Sequence, residues 1–400
     1  MFFKMTENVV NAAKMLAMMT LLLFSIGVHA QEKMITGAEN TAAWFPLVKD
    51  KNIALVANQT SIIGQIHLVD TILRLGLKVA KIFSPEHGFR GAASAGEKVS
   101  DDVDSATGIS VVSLYGNNKK PTAEALQGID IMIFDLQDVG VRFYTYISTM
   151  HYVMQACAEQ KIPLIILDRP NPNGFYVDGP VLQDSFASFV GMHKVPVVHG
   201  LTIGEYAQMI NGEHWLKQNI ACEIKVIPCV GYTHQSRYVL PVKPSPNLPN
   251  QLAIYLYPTL CFFEGTVISV GRGTSKPFQQ YGHPLLMNSE TSFVPKSMPG
   301  ASNPPYANEV CFGYDLSNYD DVSDSLSSGI HLEILIDAYR NFPDKKIFFN
   351  SFFNKLAGND ILQKQIISGK SVAEIKASWQ SDLQQYKTVR KKYLLYQDFE

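Results

Sequence analysis

Three short apolar runs in this sequence are each followed by polar side chains of the kinds that perform acid–base chemistry. Glu86 and His87 follow the first run, Asp135 and Asp138 the second, and Asp168 the third. A carboxyl group whose pKa is raised by burial can act as a general acid at neutral pH. A second carboxylate can act as its partner or bind substrate hydroxyl groups. The spacing therefore predicts proton-transfer chemistry.

The apolar runs are typical of buried strands in a parallel sheet. The run at 131–134 is apolar on both faces, as expected of a strand covered on both sides. In open α/β sheets, ligands bind in the crevice outside the carboxyl ends of the strands. We therefore expect one cleft to gather ionisable side chains that lie far apart in sequence, namely Glu86, His87, Asp135, Asp138, Arg142, Asp168 and Arg169. That convergence predicts an enzyme.

Strands and helices alternate along the first part of the chain. We predict strands at 52–57, 79–83, 109–114, 131–134, 164–167 and 224–227, and helices at 66–75, 121–126, 145–159 and 202–216. Thr202 and Glu205 have the spacing of a capping box, which marks the start of a helix. The alternation indicates right-handed βαβ units and therefore an α/β fold with a doubly wound, mostly parallel sheet.

A proline-rich stretch at 241–249 divides the sequence, because its four prolines prevent regular structure and favour an extended crossing. Beyond it we predict a smaller α+β domain with strands at 267–270 and 331–335 and a helix at 371–386. Glu264 and Arg272 are the candidate site residues of that domain. The predicted organisation is a signal peptide at 1–30, a catalytic domain at 31–255 and a smaller C-terminal domain at 256–400.

The first two motifs also have structural interpretations. Glu86 can cap the turn that follows its strand. Asp135 and Asp138 can bind turn amides while Arg142 neutralises them. In the functional interpretation the two aspartates are a second acid/base or ligands for substrate hydroxyl groups, and Arg142 is a bidentate clamp for an anionic group.

The later motifs are equally open. Asp168 can bind ligand hydroxyl groups, or it can pair with Arg169 to hold the loop. Tyr144 can belong to an aromatic wall that stacks on a sugar, or to the core. His199 can line the cleft or pack beside it, and Arg272, which lies between two glycines, suits a close approach to an anion.

Composition and charge narrow the possible partners. The 400 residues are 46% hydrophobic and 18% charged, which is typical of a globular protein. The formal net charge of −2 gives no electrostatic reason to expect nucleic acid or an anionic membrane as the main partner. The sequence has no Walker A, HExxH or G-x-S-x-G motif, and GRGTSK lacks the third glycine of a dinucleotide fingerprint. We therefore expect no nucleotide, no cofactor and no metal.

The N-terminus has the features of an export signal. Lys4 and Lys14 precede an apolar run at 15–28 that is too short to span a bilayer comfortably. The small-x-small pattern at 28–30 then predicts cleavage before Gln31. We expect export to the periplasm or beyond and no stable membrane anchor after cleavage. An uncleaved anchor is the alternative.

The cysteines do not indicate a metal or disulfide framework. Five are scattered after the predicted cleavage site without CxxC spacing. Most are expected to be small buried apolar residues. Cys222 and Cys229 are candidates for one bridge in an oxidising compartment.

Six ordered segments closely resemble a known family of glycoside hydrolases. They are SPEHGFRG, DLQDVGVRFYTYIS, LDRPNPNG, HGLTIGE, PSPNLP and FFEGTVISVGRGTSKPF. Together they resemble the NamZ-type exo-β-N-acetylmuramidases, which degrade peptidoglycan and were long grouped as a domain of unknown function. The looser C-terminal part is similar to the family's smaller second domain. Departures from the family pattern at Asp178 and Tyr206 leave the proposed catalytic position untouched.

The resemblance implies a Rossmann-like domain without nucleotide cofactor, a cleft shared with the smaller domain, and release of N-acetylmuramic acid from non-reducing ends. It implies that the glutamate of SPEHG, here Glu86, is the general acid/base. The other motif residues that it implies for the pocket are His87, Arg90, Gln137, Asp138, Arg142, Tyr144, Asp168, Glu264 and Arg272.

Glycoside hydrolysis normally needs a second carboxylate, which Asp138, Asp135 or Glu264 can supply, unless the substrate's own acetamido group replaces it. The muramic lactyl group carries a carboxylate that N-acetylglucosamine lacks. We therefore expect an arginine to recognise it, and the candidates are Arg90, Arg142 and Arg272. Two rival functions are a carbohydrate- or muropeptide-binding protein without catalysis and a metal-dependent hydrolase or esterase.

Overall fold

The computed structural model of the protein describes residues 34–86, 88–90, 102–116, 118–286, 289–317 and 329–400. The predicted signal peptide at 1–30 and the candidate His87 lie outside the described residues. Within the described residues, no helix combines the length and the apolar character needed to cross a membrane.

The strands form a seven-stranded sheet, a three-stranded sheet and a two-stranded ribbon. They are β1 (Asn52–Ala57), β2 (Ile62–Ile63), β3 (Ile66–His67), β4 (Lys78–Ser84), β5 (Asp102–Val103), β6 (Ser110–Ser113), β7 (Ile131–Asp135), β8 (Leu164–Leu167), β9 (Ile224–Ile227), β10 (Gln280–His283), β11 (Thr291–Phe293) and β12 (Cys311–Asp315). The large sheet has the order β5-β6-β4-β1-β7-β8-β9 and is parallel except at β5. The predicted doubly wound, mostly parallel sheet is therefore confirmed.

Helices cover this sheet and form much of the C-terminal part. They are α1 (Thr41–Val48), α2 (Leu68–Arg74), α3 (Tyr146–Gln160), α4 (Ile203–Gly212), α5 (Gln251–Leu260), α6 (Leu332–Asn341), α7 (Phe353–Ala357), α8 (Ile361–Ile367), α9 (Val372–Ser378) and α10 (Gln380–Arg390). The small antiparallel sheet, in the order β10-β12-β11, belongs to the same C-terminal part.

Two buried clusters lie on opposite faces of the large sheet. Ile53 and Leu55 of β1 belong to one cluster, and Ala54 and Val56 belong to the other, because successive side chains of a strand point to opposite faces. The first cluster includes side chains of α1 and α2. The second includes side chains of α3 and α4 and continues into α6. Both faces are therefore covered, as the apolar strands predict.

Residues 35–400 form one compact unit by their backbone contacts. The shared core explains this, since the cluster that contains Ala54 also contains Leu332 and Leu335 of α6. The division into domains at 255/256 stays a prediction.

The predicted capping box at the start of α4 is present. The Glu205 amide donates to the Thr202 hydroxyl group over 3.3 Å, and the Thr202 amide donates to the Glu205 carboxylate over 2.9 Å. These reciprocal bonds satisfy amides that the first helical turn leaves unpaired. All five cysteines are free and buried, so the predicted candidate bridge between Cys222 and Cys229 is not formed.

Some of the predicted elements are wrong. The segment 121–126 forms turns and not a helix, and 267–270 contributes only one isolated bridge, between Ser269 and Gly282. The segment 331–335 is the start of α6 and not a strand, because helical spacing buries Leu332, Leu335 and Ile336 together. A short apolar run does not distinguish these alternatives. The single helix predicted at 371–386 is divided into α9 and α10 at Trp379.

Candidate active site

A cavity of about 230 Å³ lies where the strand ends meet the C-terminal part of the chain. Its lining consists of Glu86, Tyr115, Phe143, Tyr144, Thr145, Tyr146, Phe189, Val190, Ser245, Asn247, Leu248, Tyr257, Glu264, Arg272, Phe278 and Phe352. Pockets for drug-sized ligands typically measure about 300–1,000 Å³. This cavity therefore suits a ligand of about one sugar unit.

Glu86 enters the cavity from the carboxyl end of β4. The strand ends at Ser84, and Pro85 cannot donate a hydrogen bond to continue the ladder. The Thr145 hydroxyl group, which precedes α3, donates to Glu86 Oε2 over 3.3 Å. Two separate elements of the fold therefore meet at this carboxyl group.

Glu264 and Arg272 reach the cavity from the C-terminal part. Glu264 lies in a short 3₁₀ turn after α5, and its Oε1 accepts a hydrogen bond from Arg272 Nε over 2.7 Å. Burial alone would lower the pKa of Arg272, but the adjacent Glu264 carboxylate outweighs it, so the pKa lies above its usual value. Arg272 therefore remains charged at the edge of the cavity.

Tight turns hold Arg272 in place. Gly271 has φ +74° and Gly273 has φ +81°, a left-handed conformation that side chains disfavour. A Cβ atom on Gly273 would lie 2.6 Å from the Lys296 carbonyl oxygen. The Arg272 guanidinium lies 5.0 Å from the Phe278 ring centroid, and its Nη1 is buried without a hydrogen-bond partner among the described residues. A buried donor of this kind favours an acceptor on a ligand.

Aromatic side chains form one wall of the cavity. Tyr144, a predicted site residue, packs edge-to-face against Tyr146 and Tyr257 and donates a hydrogen bond to the Pro244 carbonyl over 2.8 Å. This bond ties the proline-rich segment to the start of α3. Tyr144 and Tyr146 thus line the cavity and also belong to the buried core, and Phe278 contributes to the same lining from beyond the proline-rich segment. Stacking of these rings on a sugar stays a prediction.

Asp135 lies outside the cavity lining. It is fully buried and forms a two-bond ion pair with Arg169, at 2.6 and 2.9 Å. Arg142 is also fully buried, and its guanidinium donates to the carbonyls of Pro180, Val195 and Leu356 over 2.8 Å each. Arg142 therefore connects backbone segments, and it is Arg169 that neutralises Asp135.

Asp138 lies behind the cavity wall and is not one of the lining residues. Its Oδ2 accepts the Gly140 amide over 2.6 Å and lies 3.8 Å from His199 Nε2. Its Oδ1 is buried without a partner among the described residues. Burial raises the pKa of Asp138 to about 7, although the amides of Gly140 and Val139 oppose the rise. Gln137 is buried and donates to the carbonyls of Asp138 and Pro170.

The Asp138 carboxyl group gives a prediction for stability against pH. Its pKa is about 7 in the folded protein against an ordinary value of 3.8, so between these values the folded state binds the extra proton. Its contribution to stability is therefore greatest below about pH 4 and falls as pH rises through 7. Asp138→Asn should remove this fall. The free energy of unfolding of the variant should therefore rise relative to that of the wild type by up to about 4 kcal/mol between pH 4 and pH 8.

Urea unfolding of both proteins at several pH values measures this difference. Asp337→Asn, the same change on the exposed face of α6, is the control for the substitution itself. A pH-independent difference for Asp138→Asn would show that folding does not shift the pKa of the Asp138 carboxyl group.

Asp168 also lies outside the cavity lining. Its carboxylate accepts hydrogen bonds from the Thr202 hydroxyl group at 2.7 Å, the Gly204 amide at 2.8 Å and the Tyr396 hydroxyl group at 2.5 Å. Burial raises the pKa of Asp168 to about 6, against the lowering effect of the Tyr396 hydrogen bond. Asp168 connects β8, the start of α4 and the C-terminal segment, and Arg169 pairs with Asp135 instead of Asp168.

The candidate residues therefore divide into two groups. Glu86, Tyr144, Glu264 and Arg272 line the same cavity. Those that do not line it are Arg90, Asp135, Gln137, Asp138, Arg142 and Asp168. Arg90 instead pairs with Asp104 at 2.8 Å, with 42% of its side chain exposed.

Sequence reasoning missed Tyr115 and Thr145. Tyr115 follows the predicted strand at 109–114 and lines the cavity. The rule that ligands bind beyond the carboxyl ends of parallel strands (the strand-end rule), which identified Glu86, therefore applies to it as well. Its side chain is uncharged and belongs to none of the six family segments, so no other signal marked it. Within the described ranges, no three His, Cys, Asp or Glu side chains are grouped to hold a metal ion.

Comparisons with known proteins match nearly the whole described chain. The profile described as Exo-beta-N-acetylmuramidase NamZ, N-terminal, matches residues 53–252, and its C-terminal counterpart matches 255–396. The peptidoglycan beta-N-acetylmuramidase NamZ of Bacillus subtilis is 38% identical over 369 residues, which cover 87% of this chain and 88% of the relative.

Two crystal structures of DUF1343 family proteins from Bacteroides fragilis are also similar. One, at 1.30 Å resolution, has 49% sequence identity and a TM-score of 0.86, and the match covers 92% of this chain and 100% of that chain. The other, at 1.65 Å resolution, has 27% identity and a TM-score of 0.78, with 91% and 99% covered. These neighbours are consistent with the α/β fold described above.

Proposed function

Because the chain belongs to the exo-beta-N-acetylmuramidase NamZ family and is a glycosidase, we propose that it releases N-acetylmuramic acid from the non-reducing ends of peptidoglycan fragments. The observation that supports this most directly is the presence of Glu86, Glu264 and Arg272 around one cavity of about 230 Å³. A cavity of this size favours one terminal sugar.

Glu86 is the proposed general acid/base. A glycosidase must protonate the leaving oxygen while a second group stabilises or attacks the anomeric carbon. Glu86 lines the cavity and is oriented by the Thr145 hydroxyl group. A carboxyl group at this position can exchange a proton with the glycosidic oxygen of a bound sugar.

Glu264 is the proposed second carboxylate. Of the three candidates, Asp135 is paired with Arg169 and Asp138 lies behind the wall, whereas Glu264 lines the cavity. Glu264 accepts a hydrogen bond from Arg272 Nε, and a carboxylate at this position can direct water or stabilise positive charge on the sugar ring. The acetamido group of the substrate remains the alternative nucleophile.

Arg272 is the residue that we propose binds the carboxylate of the muramic lactyl group. Arg142 is fully buried against backbone carbonyls, and Arg90 lies outside the cavity lining. Arg272 lines the cavity, and its buried Nη1 lacks a partner among the described residues. A lactyl carboxylate would satisfy this donor through a charge-assisted hydrogen bond.

We propose that this activity takes place outside the cytoplasm, in the periplasm or beyond. The support is the pattern of residues 4–30, in which lysines are followed by an apolar run and then by a small-x-small cleavage site. A peptidoglycan-derived muramyl glycan would be the substrate in that compartment. The reaction would belong to the turnover of the cell wall.

The proposal predicts release of the chromophore from a chromogenic β-N-acetylmuramide by the purified protein, at the same rate with and without a chelator. Absorbance of the released chromophore measures it, and the matching β-N-acetylglucosaminide is the specificity control. Cleavage of neither substrate would favour a carbohydrate- or muropeptide-binding protein without catalysis. Loss of release in the presence of the chelator would favour a metal-dependent hydrolase or esterase.

A further inference from the structure

We propose that the hydroxyl group of Tyr115 is a positioning group that orients the Glu86 carboxyl group for proton transfer. This inference rests on the proposed function and assigns a role to a residue that carries no charge. Tyr115 is half-buried and lines the same cavity as Glu86.

The sheet register brings the two residues together. Strands β4 and β6 are parallel neighbours, and Ser84 pairs with Ser113 at their carboxyl ends. Glu86 and Tyr115 each lie two residues beyond that pair, so both leave the same edge of the sheet at equivalent positions. The Leu114 amide donates to the Ser84 carbonyl over 2.8 Å, which extends the strand pairing into this region. Their proximity therefore follows from the fold.

The two side chains interact across the cavity. Burial raises the pKa of Tyr115, the charge of Glu86 raises it further, and Arg272 opposes the rise. The phenol therefore keeps its proton at neutral pH. In the proposed role it donates a hydrogen bond to the Glu86 carboxylate.

Two donors from different elements then hold one carboxyl group. Tyr115 follows β6, and Thr145, which precedes α3, donates to Glu86 Oε2 over 3.3 Å. Since a carboxyl group rotates freely about its terminal bond, two donors from rigid elements restrict the directions in which it can present its proton. Such orientation affects the chemical step more than ground-state binding.

The test is Tyr115→Phe, assayed on the chromogenic muramide. We expect kcat to fall about 10- to 100-fold while KM changes less than about threefold, because the ring and the cavity shape are retained. A selective fall in kcat with KM little changed is the readout that a merely structural role of Tyr115 would not give.

Arg272, Glu264 and Tyr146 line the same cavity as Glu86 and remain in the variant, so they act as a constant background for the change in kcat. Thermal unfolding should be the same for the variant and the wild type. Tyr314→Phe, on β12 and outside the cavity lining, is the matched control and should leave kcat and KM unchanged.

Several outcomes would overturn the inference. Wild-type kcat in Tyr115→Phe together with loss of activity in Tyr115→Ala would show that the ring acts and the hydroxyl group does not. A rise in KM alone would assign Tyr115 to binding. If the wild-type protein releases no muramic acid, the proposed function itself fails, and the inference falls with it. That result is distinct from a normal Tyr115→Phe variant in an active enzyme.

Discussion

Replacing Glu86 by glutamine lowers kcat on a chromogenic β-N-acetylmuramide by about 10³-fold and leaves the fold intact. Glutamine has nearly the same size and can still accept the Thr145 hydrogen bond, but it can neither give nor take a proton. General acid–base catalysis typically contributes about 10²–10⁴-fold, and the expected loss lies within that range. Initial rates at saturating substrate measure the change.

Glu159→Gln is the control for this experiment. Glu159 lies near the other end of α3, outside the cavity lining, where it pairs with Lys120 at 2.7 Å. The same chemical change there should leave kcat unaltered. Activity within about threefold of the wild type in Glu86→Gln would reject the acid/base role and leave Glu264 as the candidate.

Replacing Arg272 by glutamine reduces the preference for muramyl over glucosaminyl substrates by about 100-fold. The expected size follows from the loss of a charge-assisted contact to the lactyl carboxylate, which is worth about 2–3 kcal/mol in a desolvated site. The preference is the ratio of the two kcat/KM values. Because both substrates share the effect of unpairing Glu264, that effect cancels in the ratio.

Arg90→Gln makes the same chemical change outside the cavity. Arg90 pairs with Asp104 and is 42% exposed, so its substitution should leave the ratio as in the wild type. An unchanged ratio in Arg272→Gln, with both rates lowered together, would show that Arg272 acts only by ordering Glu264. The lactyl group would then be recognised by another part of the cavity.

Much of the fold could be predicted from local sequence. The strand at 131–134 is apolar on both faces because helices cover the sheet on both sides, and the capping box at Thr202 and Glu205 marks the start of α4. The segment 331–335 could not be assigned in this way. Its apolar residues fit a strand or a helix until the partners that bury Leu332 and Leu335 are known.

The candidate site could be predicted only in part. The strand-end rule correctly brought Glu86 to the cavity and would also have identified Tyr115. The same rule placed Asp135, Asp138 and Asp168 there, whereas the structure encloses all three. Asp135 is the last residue of β7, Asp138 follows that strand and Asp168 follows β8, and all three are buried by other parts of the chain.

The sequence by itself determined the alternation of strands and helices, the doubly wound sheet and the family motifs, because these depend on neighbouring residues. Only the tertiary structure decided which polar strand ends stay open to a ligand. Asp168 is covered by Tyr396, which lies 228 residues further along the chain, while Glu86 and Arg272 meet at the cavity from opposite sides of the proline-rich segment. Contacts over such separations depend on how complete elements pack, and no local pattern of residues encodes them.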